Sequence, residues 1–111
     1  MAEVRHIGWV AQVFGKERVV VDLDNVVQRN SDVISAEADS DIVMVSLVNG
    51  LYYGVSDVGR EIWEAIEEPK TVAQLVADLA GTYDIDADSC MADTLGFLNT
   101  LLDEKLIVIR Q

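Results

Sequence analysis

Few side chains in this 111-residue sequence are of the types that support catalysis. His6, the single histidine, lies in the N-terminal segment, where a lone histidine is more often a solvated surface residue than a general base. Cys90, the single cysteine, stands among hydrophobic positions of a predicted helix, where cysteine usually behaves as a small buried apolar residue. Without a histidine-based triad or an activated thiol, the sequence predicts a protein that is not an enzyme.

Three aspartates at alternate positions, Asp84, Asp86 and Asp88, have the spacing of the first three ligands of a calcium-binding loop. The rest of that motif is missing, because Ser89 stands where the loop needs glycine and Leu95 where it needs glutamate. Turn formation and helix capping explain these acids better. The glycines form no phosphate-binding loop. We therefore expect no cofactor and no metal site.

Composition and charge exclude several classes of partner. Half of the residues are hydrophobic and a quarter are charged, as in one folded globular domain without an internal disulfide. The formal net charge of −12 opposes binding to nucleic-acid phosphates and to anionic lipid. No apolar run approaches the roughly 18–20 residues that cross a bilayer, and the N-terminus lacks a secretory signal. We expect a cytoplasmic protein that binds neither nucleic acid nor membrane.

Three strand-like runs, Val33–Glu37, Ile42–Leu47 and Leu51–Val55, are separated by turn residues. Asn49-Gly50 between the second and third runs is a strong hairpin signal, because both residues tolerate positive φ. The pattern predicts a three-stranded antiparallel meander. If the third strand is the last of the sheet, its outer row of backbone N–H and C=O groups must be covered or used.

The hydrophobic period then changes from two to about 3.6. A first helix, capped by Ser56 or Asp57, is predicted to end at Pro69 and to pack Trp63 in the core. A capping box predicts the start of a second helix, with the Thr71 hydroxyl and the Gln74 side chain satisfying each other's backbone N–H groups. Gly81 lies where a left-handed residue would end that helix.

A third helix, capped by Asp86 or Asp88, has two apolar stripes. The first stripe consists of Met91, Leu95, Leu98 and Leu102, and the second of Cys90, Thr94, Phe97 and Leu101. A one-sided surface helix needs an apolar face only about 100° wide, so the additional stripe must be buried against a sheet or a partner. The closing run Leu106–Ile109 is either a strand or a packed tail.

The elements together predict an α+β fold that is winged helix-turn-helix-like, with a three-stranded antiparallel sheet followed by three helices. Residues 26–111 form this domain, and residues 1–25 form an N-terminal extension. The extension contains two β-rich runs, Ile7–Val13 and Arg18–Leu23, that could form an extra β-hairpin. It could add strands, cover an edge or mediate dimer contacts.

One long stretch, Leu51–Glu64 with the wording LYYGVSDVGREIWE, resembles the strand-to-helix signature of the PqqD-like family. The resemblance extends over about Val26–Ile109 through positions that follow in the same order and spacing: Lys70, Thr71, Val72, Leu75, Leu79, Phe97, Leu98, Leu101, Leu102, Leu106 and Ile107. It implies a non-catalytic recognition element for ribosomally synthesised and post-translationally modified peptides (RiPPs). Such a protein binds the leader segment of a precursor peptide and delivers it to a separate leader peptidase or modifying enzyme.

In this family the leader adds as a further strand to the edge of the third strand, in the groove beside the third helix. Carried over to this chain, the resemblance implies main-chain hydrogen bonds from Leu51, Tyr52, Tyr53, Gly54 and Val55. It also implies an apolar wall made either by Met91, Leu95 and Leu98 or by Cys90, Thr94, Phe97 and Leu101. The sequence leaves open which stripe faces the peptide.

The wording Tyr52-Tyr53-Gly54 and Ile62-Trp63 is closer to the recognition proteins of lasso-peptide pathways than to the pyrroloquinoline quinone chaperones. Those chaperones have Leu-Asn after the third strand, where this chain has Val55-Ser56, and end near Gly-Trp, where it has Lys105-Leu106. Two alternatives are a winged-helix DNA-binding regulator and a structural module that forms a homodimer. The first is disfavoured because the predicted third helix contains no lysine or arginine.

Overall fold

The computed structural model of the chain describes residues 4–6, 21–84 and 86–110. Its strands are, in chain order, β1 (Val4–His6), β2 (Val26–Arg29), β3 (Val33–Ala38), β4 (Asp41–Ser46), β5 (Tyr52–Val55), β6 (Lys70–Thr71) and β7 (Ile107–Arg110). Its helices are α1 (Asp57–Ala65), α2 (Val72–Tyr83) and α3 (Ala87–Asp103). The α+β class is confirmed, with three antiparallel strands followed by three helices.

The predicted meander is formed by β3, β4 and β5, whose ends differ from the predicted ones by at most one residue. The hairpin turn between β4 and β5 contains Gly50 at a φ of 73°, the left-handed conformation that glycine adopts without steric cost. Burial alternates along β4, where Ile42, Met44 and Ser46 are buried and the residues between them are half-buried. One face of this sheet therefore packs on the core.

The meander has a fourth strand, because β1 joins it on the outer side of β5. The pairing is parallel, with Val4 opposite Tyr52, Arg5 opposite Tyr53 and His6 opposite Gly54. The N-terminal extension thus adds a strand and covers an edge, two of the roles that the sequence left open. The predicted hairpin of Ile7–Val13 and Arg18–Leu23 falls mainly on residues outside the described part of the chain.

A second, three-stranded sheet has the order β6-β2-β7. The closing run of the chain is therefore a strand and not a loose tail, with Val26 opposite Arg110 and Arg29 opposite Ile107. β6 places Thr71 opposite Val26, directly before α2 begins. This sheet pairs β2, the first strand within residues 26–111, with β7, the last strand of the chain.

Two predictions about α2 are wrong. The helix continues through Gly81 to Tyr83, and Asp84, at a φ of 52°, is the left-handed residue that ends it. Aspartate tolerates this conformation because its short polar side chain hydrogen-bonds locally. Thr71 Oγ1 accepts from the Gln74 N–H at 3.2 Å as predicted, but the Gln74 amide does not return to the cap and instead donates to Asp78 Oδ1 at 2.9 Å.

The start of α3 is fixed by Asp86, whose carboxylate accepts from the Ser89 N–H at 3.1 Å. The core lies between the helices and the two sheets and includes the predicted core residue Trp63. Its largest fully buried side chains are Trp63, Tyr53, Phe97, Met44, Ile62, Ile66, Leu75, Leu98, Leu101, Leu106, Ile107 and Val21. In the described segments, no helix has the length and apolar content needed to span a bilayer.

Candidate functional site

The edge of β5 is the backbone surface that the sequence resemblance assigns to peptide binding. β5 pairs with β4 on one side along its whole length, from Tyr52 to Val55. On its other side β1 pairs with Tyr52, Tyr53 and Gly54. The edge that the meander alone would leave open is therefore occupied by the protein's own N-terminal strand.

Helix α3 lies beside β5 on the core side of the sheet. Near the end of the helix, the Tyr53 hydroxyl donates to Glu104 Oε1 at 2.6 Å. Near the middle, a Cβ placed on Gly59 would lie 3.1 Å from Phe97 Cζ and 3.5 Å from Val55 Cβ, so Phe97 packs close to both Gly59 and Val55. β5 and α3 therefore lie side by side and run in opposite directions.

Asn49 fixes the β4–β5 turn to the end of α3, a role that the sequence pattern did not indicate. Its side-chain amide donates to the Tyr53 hydroxyl at 2.9 Å and to the Glu104 carbonyl at 3.0 Å. Its side-chain oxygen accepts from the Leu51 N–H at 2.9 Å. A turn-forming Asn-Gly pair predicts the hairpin, but its long-range bonds depend on a helix end more than fifty residues away along the sequence.

Burial separates the two stripes of α3. Cys90, Thr94, Phe97 and Leu101 are all buried, so this stripe is packed in the core. Of the other stripe, Leu98 is also buried, whereas Met91, Leu95 and Leu102 are half-buried. Of the two stripes, the side chains that can contact a ligand without repacking the core are therefore those of Met91, Leu95 and Leu102.

The predicted side chains of β5 divide in the same way. Tyr53 and Val55 are fully buried, whereas Tyr52 is 37% exposed and Leu51 is half-buried. Tyr52 and Tyr53 thus lie on opposite faces of the strand, as its period of two predicts. Several predicted contact residues are core residues in this structure, namely Tyr53, Val55, Thr94, Phe97, Leu98 and Leu101. These core side chains hold β5 and α3 in position.

A second attachment of the N-terminal part of the chain is made to α3. The backbone N–H of Val21 donates to Asn99 Oδ1 at 2.9 Å, and the Val21 side chain is buried. Asn99 follows Met91 and Leu95 at intervals of four residues and therefore lies on the same side of the helix. Sequence analysis did not identify Asn99, because its partner is 78 residues away along the chain.

A separate cavity of about 210 Å³ is lined by residues of β2, β3, β4 and α1 and by Glu67 after α1, and not by β5 or α3. There the Arg29 guanidinium lies 4.6 Å from the centre of the Trp63 ring and donates to the Trp63 carbonyl at 2.6 and 3.0 Å. Partial burial lowers the pKa of Arg29, and the charges of Glu67 and Glu64 oppose this effect. These contacts anchor α1 on the sheets.

Cys90, Asp84 and Asp86, which were considered as candidates for catalysis or metal binding, have structural roles. The Cys90 thiol is buried, 3.8 Å from the Val76 carbonyl and 3.9 Å from Thr94 Oγ1. Asp84 ends α2 and Asp86 caps α3, which are the turn and capping roles predicted for these acids. Within residues 4–6, 21–84 and 86–110, no three metal-ligating side chains form a group that could hold an ion.

Comparison with known proteins identifies a family model and two similar structures. The model of the coenzyme PQQ synthesis protein D (PqqD) matches residues 41–107, more than half of the chain. The structure of TbiB1 in complex with the TbiA(beta) leader peptide is 30% identical, with a TM-score of 0.68, and the match covers 72% of this chain and 93% of TbiB1. A search of curated proteins found no match.

The other similar structure is the solution NMR structure of the PqqD truncation of Methylobacterium extorquens PqqCD, a functional and stand-alone RiPP recognition element. It is 19% identical, with a TM-score of 0.66, and the match covers 79% of this chain and 94% of that one. At this identity the likeness concerns the fold. The two matches cover 93% of the TbiB1 chain and 94% of the PqqD chain.

Proposed function

The chain belongs to the PqqD family of non-catalytic recognition elements, and from this premise we propose that it binds the leader segment of a ribosomally synthesised precursor peptide. The leader adds as a strand to β5, and the protein presents the bound precursor to a separate leader peptidase or modifying enzyme. Residues 26–111 are the recognition domain in this proposal. Because precursors are made by ribosomes, the proposal includes a cytoplasmic location.

The observation that carries the proposal is the position of α3 beside β5. A strand edge supplies main-chain hydrogen bonds that any extended peptide can use, and therefore gives affinity with little sequence selectivity. The half-buried side chains of Met91 and Leu95 and the exposed side chain of Tyr52 supply apolar surface on α3 and β5. Selectivity then depends on whether the peptide places apolar side chains at the matching alternate positions.

The likeness to TbiB1, whose structure contains a leader peptide, supports leader binding by this chain. The Tyr52-Tyr53-Gly54 and Ile62-Trp63 wording further supports a lasso-peptide pathway as the one in which this protein acts. In such a pathway the partner enzyme would be a leader peptidase. A recognition protein separate from its enzyme must bind the leader tightly enough to deliver it and weakly enough to release it.

The proposal is tested by a fluorescence-polarisation titration of the full chain. The probe is a fluorescein-labelled synthetic leader of the precursor encoded beside its gene, and a scrambled leader is the control peptide. We expect saturable binding of the leader with a Kd of about 1 μM or tighter, and no saturation with the scramble. Equal binding of the two peptides, or binding of neither, would remove the proposed function.

Substitution of Met91 by glutamate tests the apolar wall. A charge placed on the half-buried face of α3 loses the apolar contact and opposes peptide docking, and we expect leader affinity to fall about tenfold or more. Ile34→Glu is the matched control, because Ile34 is 59% exposed on β3, at the opposite end of the sheet. If both variants lose leader affinity to a similar extent, the added charge explains the loss, and Met91 is not part of a specific apolar contact with the leader.

A further inference from the structure

The backbone groups that the leader needs are already engaged within the chain. β1 pairs with Tyr52, Tyr53 and Gly54 on the side of β5 that faces away from β4. Each backbone N–H donates one ladder hydrogen bond, and a strand has only two edges. A peptide strand therefore cannot pair with β5 in this region while β1 remains there.

Helix α3 is also contacted by the N-terminal part of the chain, at Val21. The Val21 N–H is bonded to Asn99 on the side of α3 that contains Met91 and Leu95. β1 thus lies against β5, and Val21, further along the same chain, lies against α3. The two attachments come from different observations, a strand register and a side-chain hydrogen bond.

We propose that β1 is an intramolecular competitor of the leader peptide, which must displace β1 from β5 in order to bind. This inference rests on the proposed function and adds a closed state to it. In the closed state β1 occupies the edge, and in the open state the edge is free for a peptide strand. The alternative is that the leader adds to the outer edge of β1 and leaves β1 in place.

The pairing of β1 is suited to displacement. Among the described residues it consists of three residue pairs in parallel arrangement, which is slightly less stable per residue than the antiparallel pairing of β5 with β4. Because β1 belongs to the same chain as β5, its pairing is intramolecular, and a peptide must compete with it at every protein concentration.

The first test weakens β1 in the full chain. The double substitution Val4→Pro and Arg5→Pro removes the amides at two successive positions, so it removes an amide that faces β5 in either orientation of the strand. Val4→Ala with Arg5→Ala, which changes the same side chains and charge but keeps the amides, is the matched control. If about nine molecules in ten are closed, the proline variant binds the labelled leader about tenfold more tightly than the alanine variant.

The second test fixes β1 in place. Val4 and Tyr52 are Cα partners in the register, and neighbouring strands lie about 4.8 Å apart, which permits a disulfide between cysteines at these positions. In the variant Val4→Cys with Tyr52→Cys, we expect leader binding to be lost under oxidising conditions and restored by reductant. Each oxidised sample is compared with its own reduced form, so the loss of the Tyr52 ring affects both.

Amide hydrogen exchange without peptide separates failure of this inference from failure of the proposed function. We expect protection among the Tyr52–Gly54 amides to fall in the proline variant and to remain in the alanine variant. Unchanged protection, equal leader affinities of the two variants, or full binding by the oxidised disulfide form would each overturn displacement. If β1 release is seen by exchange but no form binds the leader, the proposed function itself is rejected, and the competition with it.

Discussion

At the scale of single residues, two glycines in helices have opposite surroundings. A Cβ on Gly59 in α1 would lie 3.1 Å from the Phe97 ring, whereas a Cβ on Gly81 in α2 would meet nothing within 4 Å. Gly59 therefore permits close approach of α1 to α3, next to the end of β5. Gly81 has no such role and costs helix stability relative to alanine.

Substitution of each glycine by alanine tests this difference. Gly59→Ala should lower the free energy of unfolding by about 1–2 kcal/mol, because overpacking against Phe97 outweighs the gain in helix propensity. Gly81→Ala should raise it by about 0.5–1 kcal/mol. Urea unfolding followed by circular dichroism measures both values. Stabilisation by both substitutions would mean that Phe97 moves away without cost.

At the scale of secondary-structure elements, the sequence predicted those whose signals are local. The three meander strands and three helices have hydrophobic periods, turns and caps within their own residues, and all six are present. β1, β2 and β6 are short and depend on distant partners, such as the pairing of Val26 with Arg110. No local pattern indicates such partners, and for the same reason the occupation of β5 could not be predicted.

The N-cap of α2 gives a test at this scale. Thr71→Ala should lower the free energy of unfolding by about 1 kcal/mol, because the Gln74 N–H loses its acceptor. Gln74→Ala should change it by less than about 0.5 kcal/mol, since the Gln74 side chain bonds only along the exposed helix surface to Asp78. Equal losses of free energy of unfolding in the two variants, measured by thermal or urea unfolding, would instead support the reciprocal capping box that the sequence predicted.

For the candidate site, the sequence identified β5 and α3. It did not indicate which side chains of α3 are buried in the core and which are accessible. Both stripes of α3 are apolar, so composition alone could not tell which one packs in the core. The structure distinguishes them by burial, with Thr94 and Phe97 inside and Met91 and Leu95 at the surface. Packing against α2 and β7 decides the orientation, and the composition of α3 alone does not indicate it.

At the scale of the whole molecule, the net charge of −12 acts on any charged peptide that approaches. We predict that affinity for a leader containing basic residues falls as salt rises from about 0.1 to 1 M. Fluorescence polarisation across this range measures the slope, and a leader whose lysines and arginines are replaced by glutamine is the control. Affinity that is independent of salt would indicate that apolar and backbone contacts alone account for binding.

The position of β1 also bears on how the protein behaves between encounters with its peptide. An unpaired strand edge can template growth of a sheet between molecules, and β1 shields the edge of β5 from other chains. Because β1 belongs to the same chain, its return to β5 after a peptide has left is independent of protein concentration. In the proposed cycle, β1 therefore closes the edge again after each delivery, without a second molecule.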